Sequence, residues 1–115
     1  MKHPKTHLKI RVMAEYGSSG IWGFSEKGMG IFRHGMMEHY RLKLPRELSD
    51  RFDRWILNYE DMNLSDNTNK LDSETFNAEG RYLATELKKF LGRHRHVEYQ
   101  GEDKDGKLLQ SVVIP

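Results

Sequence analysis

Apolar and polar residues alternate along the first part of the chain. Within residues 8–16 every second position is apolar up to Ala14, and most positions between them are charged. A period of two over this length predicts a half-buried β-strand. Glycines and serines at residues 17–20 predict a turn after it, and residues 21–24 a short extended piece. Residues 40–44 alternate again, which predicts a further strand-like segment before Pro45.

Residues 45–60 change to a helical period. Pro45 suits the first turn of a helix, where its missing N–H is not needed. The apolar positions then recur at spacings of three and four, which places them on one face of an amphipathic helix. These positions are Leu48, Phe52, Trp55, Ile56 and Tyr59. The asparagine- and aspartate-rich stretch 61–70 predicts a break after this helix.

A second helix is predicted around the apolar stripe that runs from Phe76 to Leu91. Asp72 and Ser73 are suitable N-caps, and Gly92 stands where a left-handed C-cap would end the helix. The apolar stripe has helical spacing and includes a glycine, Gly80. Its members are Phe76, Gly80, Leu83, Ala84, Leu87, Phe90 and Leu91. Because an interior glycine weakens a helix, we expect another backbone to approach closely at Gly80, where the helix crosses the sheet or the first helix.

The end of the chain predicts an antiparallel hairpin. Residues 96–100 and 108–114 are strand-like, and the loop formers at 101–106 separate them. Each helix has one apolar face, so both helices belong on one face of an antiparallel sheet. This arrangement is a two-layer α+β fold. We expect a single domain over residues 1–115, with residues 1–7 as a loose N-terminal tail.

Composition excludes several classes of protein. The chain has 115 residues, mean hydropathy is −0.80, and no apolar run is long enough to span a membrane. The absence of cysteine excludes disulfides and thiolate metal sites and fits a reducing compartment. The charged N-terminus lacks the apolar stretch of a secretory signal. The glycine-rich turns lack the lysine and helix of a phosphate-binding loop, and no cofactor is expected.

The charges are unevenly distributed, although the net charge is only +2. Counting Lys and Arg against Asp and Glu, residues 1–48 carry nine minus four, or +5; residues 49–80 carry three minus eight, or −5; and residues 81–115 carry seven minus five, or +2. Such an acidic block would attract a basic protein and repel nucleic acid. A solvated loop is the alternative interpretation. The candidate partner-binding residues are Glu60, Asp61, Asp66, Asp72 and Glu74.

Other chemistry is less specific in this sequence. Six histidines invite a metal hypothesis, but His94 and His96 lack a recognisable third ligand, so we expect no metal site. A small metal-independent nuclease is an alternative function, with acid–base and phosphate-holding groups of suitable type but no diagnostic spacing. Its residues would be His34, Glu38, His39 and Arg41. A nucleic-acid-binding module is a third option, based on the basic residues at 88–95.

Three blocks of the chain resemble a loosely defined family of small bacterial proteins without an assigned activity. The blocks are Ile10-Arg-Val-Met-Ala-Glu-Tyr-Gly17 closing at Trp22, Leu44-Pro-Arg-Glu-Leu-Ser-Asp-Arg-Phe-Asp-Arg-Trp55 with Tyr59, and Phe76-Asn-Ala-Glu-Gly-Arg-Tyr-Leu-Ala-Thr-Glu-Leu87 continuing to Leu91-Gly92 and Val97-Glu98-Tyr99. In size, composition and α+β style, the chain also resembles immunity proteins of contact-dependent and other polymorphic toxin systems. That resemblance implies a non-enzymatic cytoplasmic protein that neutralises a cognate toxin domain, here a basic one, by direct binding.

Overall fold

The computed structural model describes residues 9–24, 35–62 and 73–115, which form a four-stranded sheet and three helices. In chain order the elements are β1 (Lys9–Val12), β2 (Ile21–Phe24), α1 (His39–Leu42), α2 (Arg46–Met62), α3 (Ser73–Leu91), β3 (His96–Tyr99) and β4 (Val112–Val113). The α+β class is confirmed. The expected tail at residues 1–7 lies outside the described residues, and the single domain stays a prediction.

The order of strands in the sheet is β2-β1-β3-β4. β1 pairs antiparallel with β2, and β3 pairs antiparallel with β4, so the predicted terminal hairpin is confirmed. The central pair β1 and β3 is parallel, with Lys9 opposite His96 and Val12 opposite Tyr99. The sheet is therefore mixed, and the expectation of a purely antiparallel sheet is corrected. The long connection through α2 and α3 supplies the crossover that a parallel pair requires.

Both long helices pack on the same face of the sheet. Ile10, Val12, Val97 and Tyr99 point from the central strands into the core, as strand alternation requires. The apolar stripe of α2 meets them, with Phe52 and Trp55 almost fully buried. From α3 the core receives Phe76, Leu83, Ala84 and Leu87. Burial of these aromatic and aliphatic side chains is the main favourable contribution to folding.

Gly80 of α3 lies directly over Tyr99 of β3. A Cβ atom at Gly80 would overlap the Tyr99 ring. The helix does cross the sheet at Gly80, as predicted, but the group that approaches is an aromatic side chain, where we expected a backbone. Gly92 follows the last residue of α3 with φ 109°, and its N–H donates to the Lys88 carbonyl at 2.8 Å. The predicted left-handed helix end is therefore confirmed.

The strand predicted at residues 40–44 is wrong. This segment contains the short helix α1, which ends at Lys43 in the left-handed conformation with φ 57°. Leu42 and Leu44 still pack against the core, while Tyr40 is 73% exposed. A single helical turn followed by a left-handed residue thus brings alternate side chains to the core without forming a strand.

Candidate functional site: an acidic end of the molecule

Carboxylates from distant parts of the sequence meet at one end of the sheet. Because β1 and β3 are parallel, the residues that follow the two strands lie at the same end of the sheet. Glu15 follows β1, and Glu102 and Asp103 follow β3. α2 also ends here: the Gly17 N–H donates to Glu60 Oε2 at 2.7 Å, which connects the helix to the turn after β1. We call Glu15, Glu60, Glu102 and Asp103 the acidic end.

The Glu102 carboxylate lies in an unfavourable electrostatic position. Burial raises its pKa above the ordinary value of 4.5, and the negative charges of Glu15 and Asp103 act in the same direction. A hydrogen bond from the Tyr59 hydroxyl, 2.9 Å from Glu102 Oε2, opposes the shift only in part. The two neighbouring charges that act on the Glu102 carboxylate, those of Glu15 and Asp103, are both negative.

Two tyrosines pack among these carboxylates. Tyr59 is buried, and burial together with its hydrogen bond to Glu102 raises the pKa of its hydroxyl. The Tyr16 ring meets the Tyr59 ring edge-on, with centroids 5.5 Å apart. Tyr16 itself is 58% exposed. Tyrosine is enriched at protein interfaces, so the exposed Tyr16 is a candidate contact residue.

The buried amide of Asn77 holds the backbone at Glu102. Asn77 Nδ2 donates to the Glu102 carbonyl at 2.8 Å, and Asn77 Oδ1 accepts from the Glu102 N–H at 3.3 Å. The same oxygen accepts from the Tyr99 hydroxyl at 2.7 Å. At Gly101 a Cβ atom would overlap the Asn77 amide, so only glycine fits between these groups. α3 therefore fixes the position of the carboxylate at the end of β3.

The sequence-predicted acidic residues that the structure describes lie close to this end. Glu60 is half-buried and belongs to it, and Asp61 is its exposed neighbour in the last turn of α2. Glu74 is exposed in the first turn of α3. Since the Tyr59 and Phe76 rings lie 5.7 Å apart, the end of α2 and the start of α3 are adjacent. The remaining two predicted residues, Asp66 and Asp72, lie outside the described residues.

Sequence reasoning missed Glu15, Glu102, Asp103 and Tyr16. Each follows a segment with strand alternation, and that position was the available signal. A position after a strand indicates a shared site only once β1 and β3 are known to be parallel. In an antiparallel pair, the residues that follow the two strands would lie at opposite ends of the sheet.

The histidine proposed for the alternative nuclease is held by other protein groups. His39 Nε2 lies 2.8 Å from the Ser19 carbonyl, and Nδ1 lies 2.8 Å from Ser49 Oγ. Because a carbonyl only accepts, Nε2 carries a proton in this arrangement. The imidazole therefore joins the β1–β2 turn to α2. His34 lies outside the described residues, and exposed Arg41 is placed near the Tyr40 ring, 6.0 Å from its centroid.

Neither a metal site nor a nucleic-acid interface gains support from the described residues. Within residues 9–24, 35–62 and 73–115, no group of three His, Asp or Glu side chains is arranged to hold a metal. His96 Nε2 lies 2.6 Å from Glu98 Oε2. Lys88 Nζ donates to the carbonyls of Arg93 and Arg95, so this lysine caps the turn after α3. None of the helices in the described part of the chain is long and apolar enough to cross a membrane.

Fold and site together define a small α+β protein with a preorganised acidic surface. A model of the Serratia CdiI immunity protein-like family matches residues 8–102. The match spans most of the chain, and the chain belongs to this family. No curated protein and no solved structure matches it. The resemblance to immunity proteins of contact-dependent toxin systems is therefore confirmed at the level of the family.

Proposed function

We propose that this chain is a non-enzymatic immunity protein that neutralises a cognate toxin domain by binding it directly. Membership of an immunity protein-like family supports the role. The observation that carries the mode of binding is the acidic end, where Glu102 is partly buried beside further carboxylates. We propose that this encounter takes place in the cytoplasm, a compartment that a cysteine-free chain fits.

The chemistry of the acidic end favours a basic toxin surface. Lysine or arginine side chains from a partner would neutralise Glu102 and its acidic neighbours, and Tyr16 offers an exposed aromatic contact. Nuclease toxins that grip a phosphate backbone carry such basic surfaces. Complementary charge raises the association rate and excludes partners of the wrong sign. We include Asp61, Asp66, Asp72 and Glu74 in the proposed contact surface. Asp61 and Glu74 lie at the neighbouring helix ends, and Asp66 and Asp72 are included because they belong to the same acidic stretch of the sequence.

The immunity role is tested by rescue of growth. The C-terminal domain encoded by the open reading frame immediately upstream is expressed alone and together with this chain, and viable cells are counted. We expect the domain to be toxic alone and harmless when the chain is present. A toxic domain that the chain does not neutralise, or a harmless one, would contradict the immunity role for this gene pair.

The binding surface is tested separately, by association kinetics at several salt concentrations. In one variant three carboxylates of the acidic end become amides, Glu15→Gln, Glu102→Gln and Asp103→Asn. A second variant changes Asp61, Asp66, Asp72 and Glu74 in the same way. We expect the association rate to fall about tenfold or more at low salt and less at high salt, because steering is screened.

A matched control removes three carboxylates elsewhere, with Glu47→Gln, Asp50→Asn and Glu86→Gln. These side chains lie on the helices away from the acidic end, in the first half of α2 and the second half of α3. The control should leave the association rate within about twofold of the wild type at physiological salt. Equal effects in control and test variants would contradict the acidic end as the docking surface and leave the rescue result unchanged.

A further inference from the structure

The two edges of the sheet differ in how they are covered. At the β2 edge, residues 35–37 run alongside the strand. The Gly23 N–H donates to the Gly35 carbonyl at 2.6 Å, and the Met37 N–H donates to the Ile21 carbonyl at 2.9 Å. At the other edge β4 is the last strand, and no further strand of the described chain pairs with it. Within residues 9–24, 35–62 and 73–115, one edge of the sheet is covered and the other is open.

The backbone of β4 presents unsatisfied groups at this open edge. Val112 and Ile114 use their backbones toward β3, as the 2.8 Å bond from the Ile114 N–H to the Val97 carbonyl shows. By antiparallel alternation, the N–H and C=O groups of Ser111 and Val113 point away from β3. These groups have the geometry to receive one more strand.

The side chains along this edge give no protection against pairing. Natural edge strands are commonly protected by being very short, or by a charge, a proline or a bulge that discourages an added strand. β4 is two residues long, so its protection is its length and no charge. Residues 108–114 contain no ionisable side chain and no proline. Four apolar side chains in this stretch are 44–60% exposed. They are Leu108, Leu109, Val112 and Val113.

We propose that β4 pairs antiparallel with β4 of a second copy of this chain, so that two sheets join into one. Self-pairing of an uncharged strand produces no like-charge repulsion, whereas a charged partner strand would find no complementary charge there. The ends of the molecule favour the antiparallel direction. β3 begins after the basic residues Arg93 and Arg95, and the turn that follows it has three carboxylates and two lysines, a net charge of −1. The carboxylates are Glu102, Asp103 and Asp105, and the lysines are Lys104 and Lys107. Antiparallel pairing therefore places the acidic end of one copy beside the basic residues of the other.

Both the strength and the stoichiometry of this dimer follow from the same geometry. A standard stable interface buries about 800 Å² per partner, which one short edge with four half-exposed side chains does not reach. We expect a weak dimer that forms as concentration rises. The two β3 strands would be about 14 Å apart, three strand spacings. This distance exceeds the Debye length of about 8 Å at physiological salt but not that of about 30 Å at 0.01 M, so the end charges should favour the dimer mainly at low salt. The two acidic ends point in opposite directions, which leaves both free for a toxin domain.

The test is sedimentation equilibrium of the full chain over a wide concentration range, with Val113→Pro and Val113→Lys as variants. Proline at position 113 removes an outward N–H while the bonds of Val112 and Ile114 to β3 remain. Lysine keeps the backbone and adds the charge that commonly protects an edge. Leu57→Lys is the matched control, because Leu57 is 62% exposed on α2, away from this edge.

We expect the wild type and Leu57→Lys to dimerise with similar affinity and both Val113 variants to sediment as monomers. If Val113→Pro fails to fold by circular dichroism, Val113→Lys decides the result alone. A wild type that stays monomeric at all concentrations, or a dimer that survives Val113→Lys, overturns the proposal. A monomeric chain that pairs through this edge only with the toxin domain overturns it as well, and rescue of growth is read independently.

Discussion

Glu98 in β3 and Glu102 in the turn that follows it lie in very different electrostatic environments. Burial would raise the pKa of Glu98, but hydrogen bonds from His96, Arg11 and Ser111 outweigh it and lower the pKa. Burial likewise raises the pKa of Glu102, and there the neighbouring charges are carboxylates. The hydrogen bonds to the Glu98 carboxylate outweigh its burial, whereas the single hydrogen bond from Tyr59 to the Glu102 carboxylate does not. That difference separates a structural group from a candidate binding group.

The largest expected effect comes from Asn77→Ala, which tests whether the position of Glu102 is built by the fold. The change leaves the Glu102 N–H and C=O and the Tyr99 hydroxyl without their shared partner. Because unsatisfied buried groups carry large penalties, we expect a loss of about 2–4 kcal/mol in the free energy of unfolding. Urea denaturation measures this loss. Toxin association should also slow, since the turn at Glu102 is released.

The control for Asn77 is Ala78→Ser, on the exposed neighbour of Asn77 in α3. It should change stability by at most about 0.5 kcal/mol. An Asn77→Ala protein with normal stability would contradict the role of the amide. A destabilised variant that still binds the toxin domain at the wild-type rate would show that the turn at Glu102 does not contribute to docking.

Arg11→Ala removes one of the hydrogen-bond donors that lower the pKa of Glu98. Arg11 donates to Glu98 Oε1 at 3.0 and 3.2 Å and lies over the Phe24 ring, 4.7 Å from its centroid. The Glu98 side chain is only 12% exposed, so its charge would lose both guanidinium hydrogen bonds in a half-buried position and keep the contact with His96. We expect a loss of about 1.5–3 kcal/mol on urea denaturation. The rate of toxin association should be unchanged, because Arg11 lies on the sheet face opposite the helices.

An exposed ion pair provides the control for Arg11. Lys89 pairs with Glu86 at 3.2 Å with 69% of its side chain exposed, so Lys89→Ala should change stability by less than about 1 kcal/mol. Equal losses in the free energy of unfolding for Arg11→Ala and Lys89→Ala would mean that the Arg11–Glu98 pair stabilises the protein no more than an exposed ion pair does. A slower toxin association for Arg11→Ala would extend the binding surface beyond the acidic end.

The sequence was sufficient to predict the two long helices. α2 and α3 repeat their apolar residues over several turns, and Gly92 ends the second where a left-handed residue is needed. Residues 40–44 offered only three alternating positions, which one helical turn and Lys43 satisfy equally well. The parallel pairing of β1 and β3 depends on how the chain returns through two helices. No local pattern near either strand records that path.

The residues of the candidate site were likewise predictable from the sequence only in part. Glu60, Asp61 and Glu74 belong to a visible acidic stretch, so the sequence could indicate them. Glu15 and Glu102 are far apart in the sequence and become neighbours only through the parallel register. Each alone is an ordinary charged residue after a strand. A site assembled by topology from single residues has no signature in one sequence.

The pH dependence of stability should separate the two glutamates by sign. Glu98 has a lowered pKa in the folded state, so its contribution is present above its ordinary value of 4.5 and is lost as pH falls through the lowered pKa. The pKa of Glu102 is raised, so its contribution is present below 4.5 and is lost as pH rises through the raised pKa.

The measurement is urea denaturation between about pH 3 and about pH 7 for the wild type, Glu98→Gln and Glu102→Gln. Glu98→Gln should flatten the loss of stability on the acid side. Glu102→Gln should remove part of the decline that accompanies rising pH above 4.5. Identical pH profiles for the two variants would remove the contrast between the glutamates.

The smallest expected effect on stability, and the most informative for function, belongs to Glu102→Gln at neutral pH. The amide oxygen still accepts from the Tyr59 hydroxyl, while the partly buried charge beside Glu15 and Asp103 disappears. Stability should therefore stay the same or rise slightly, although toxin association slows at low salt. A residue whose substitution stabilises the fold and weakens binding contributes to partner binding and not to stability. If Glu102→Gln lowers stability and leaves association unchanged, Glu102 is structural like Glu98, and the binding surface must be sought elsewhere on the molecule.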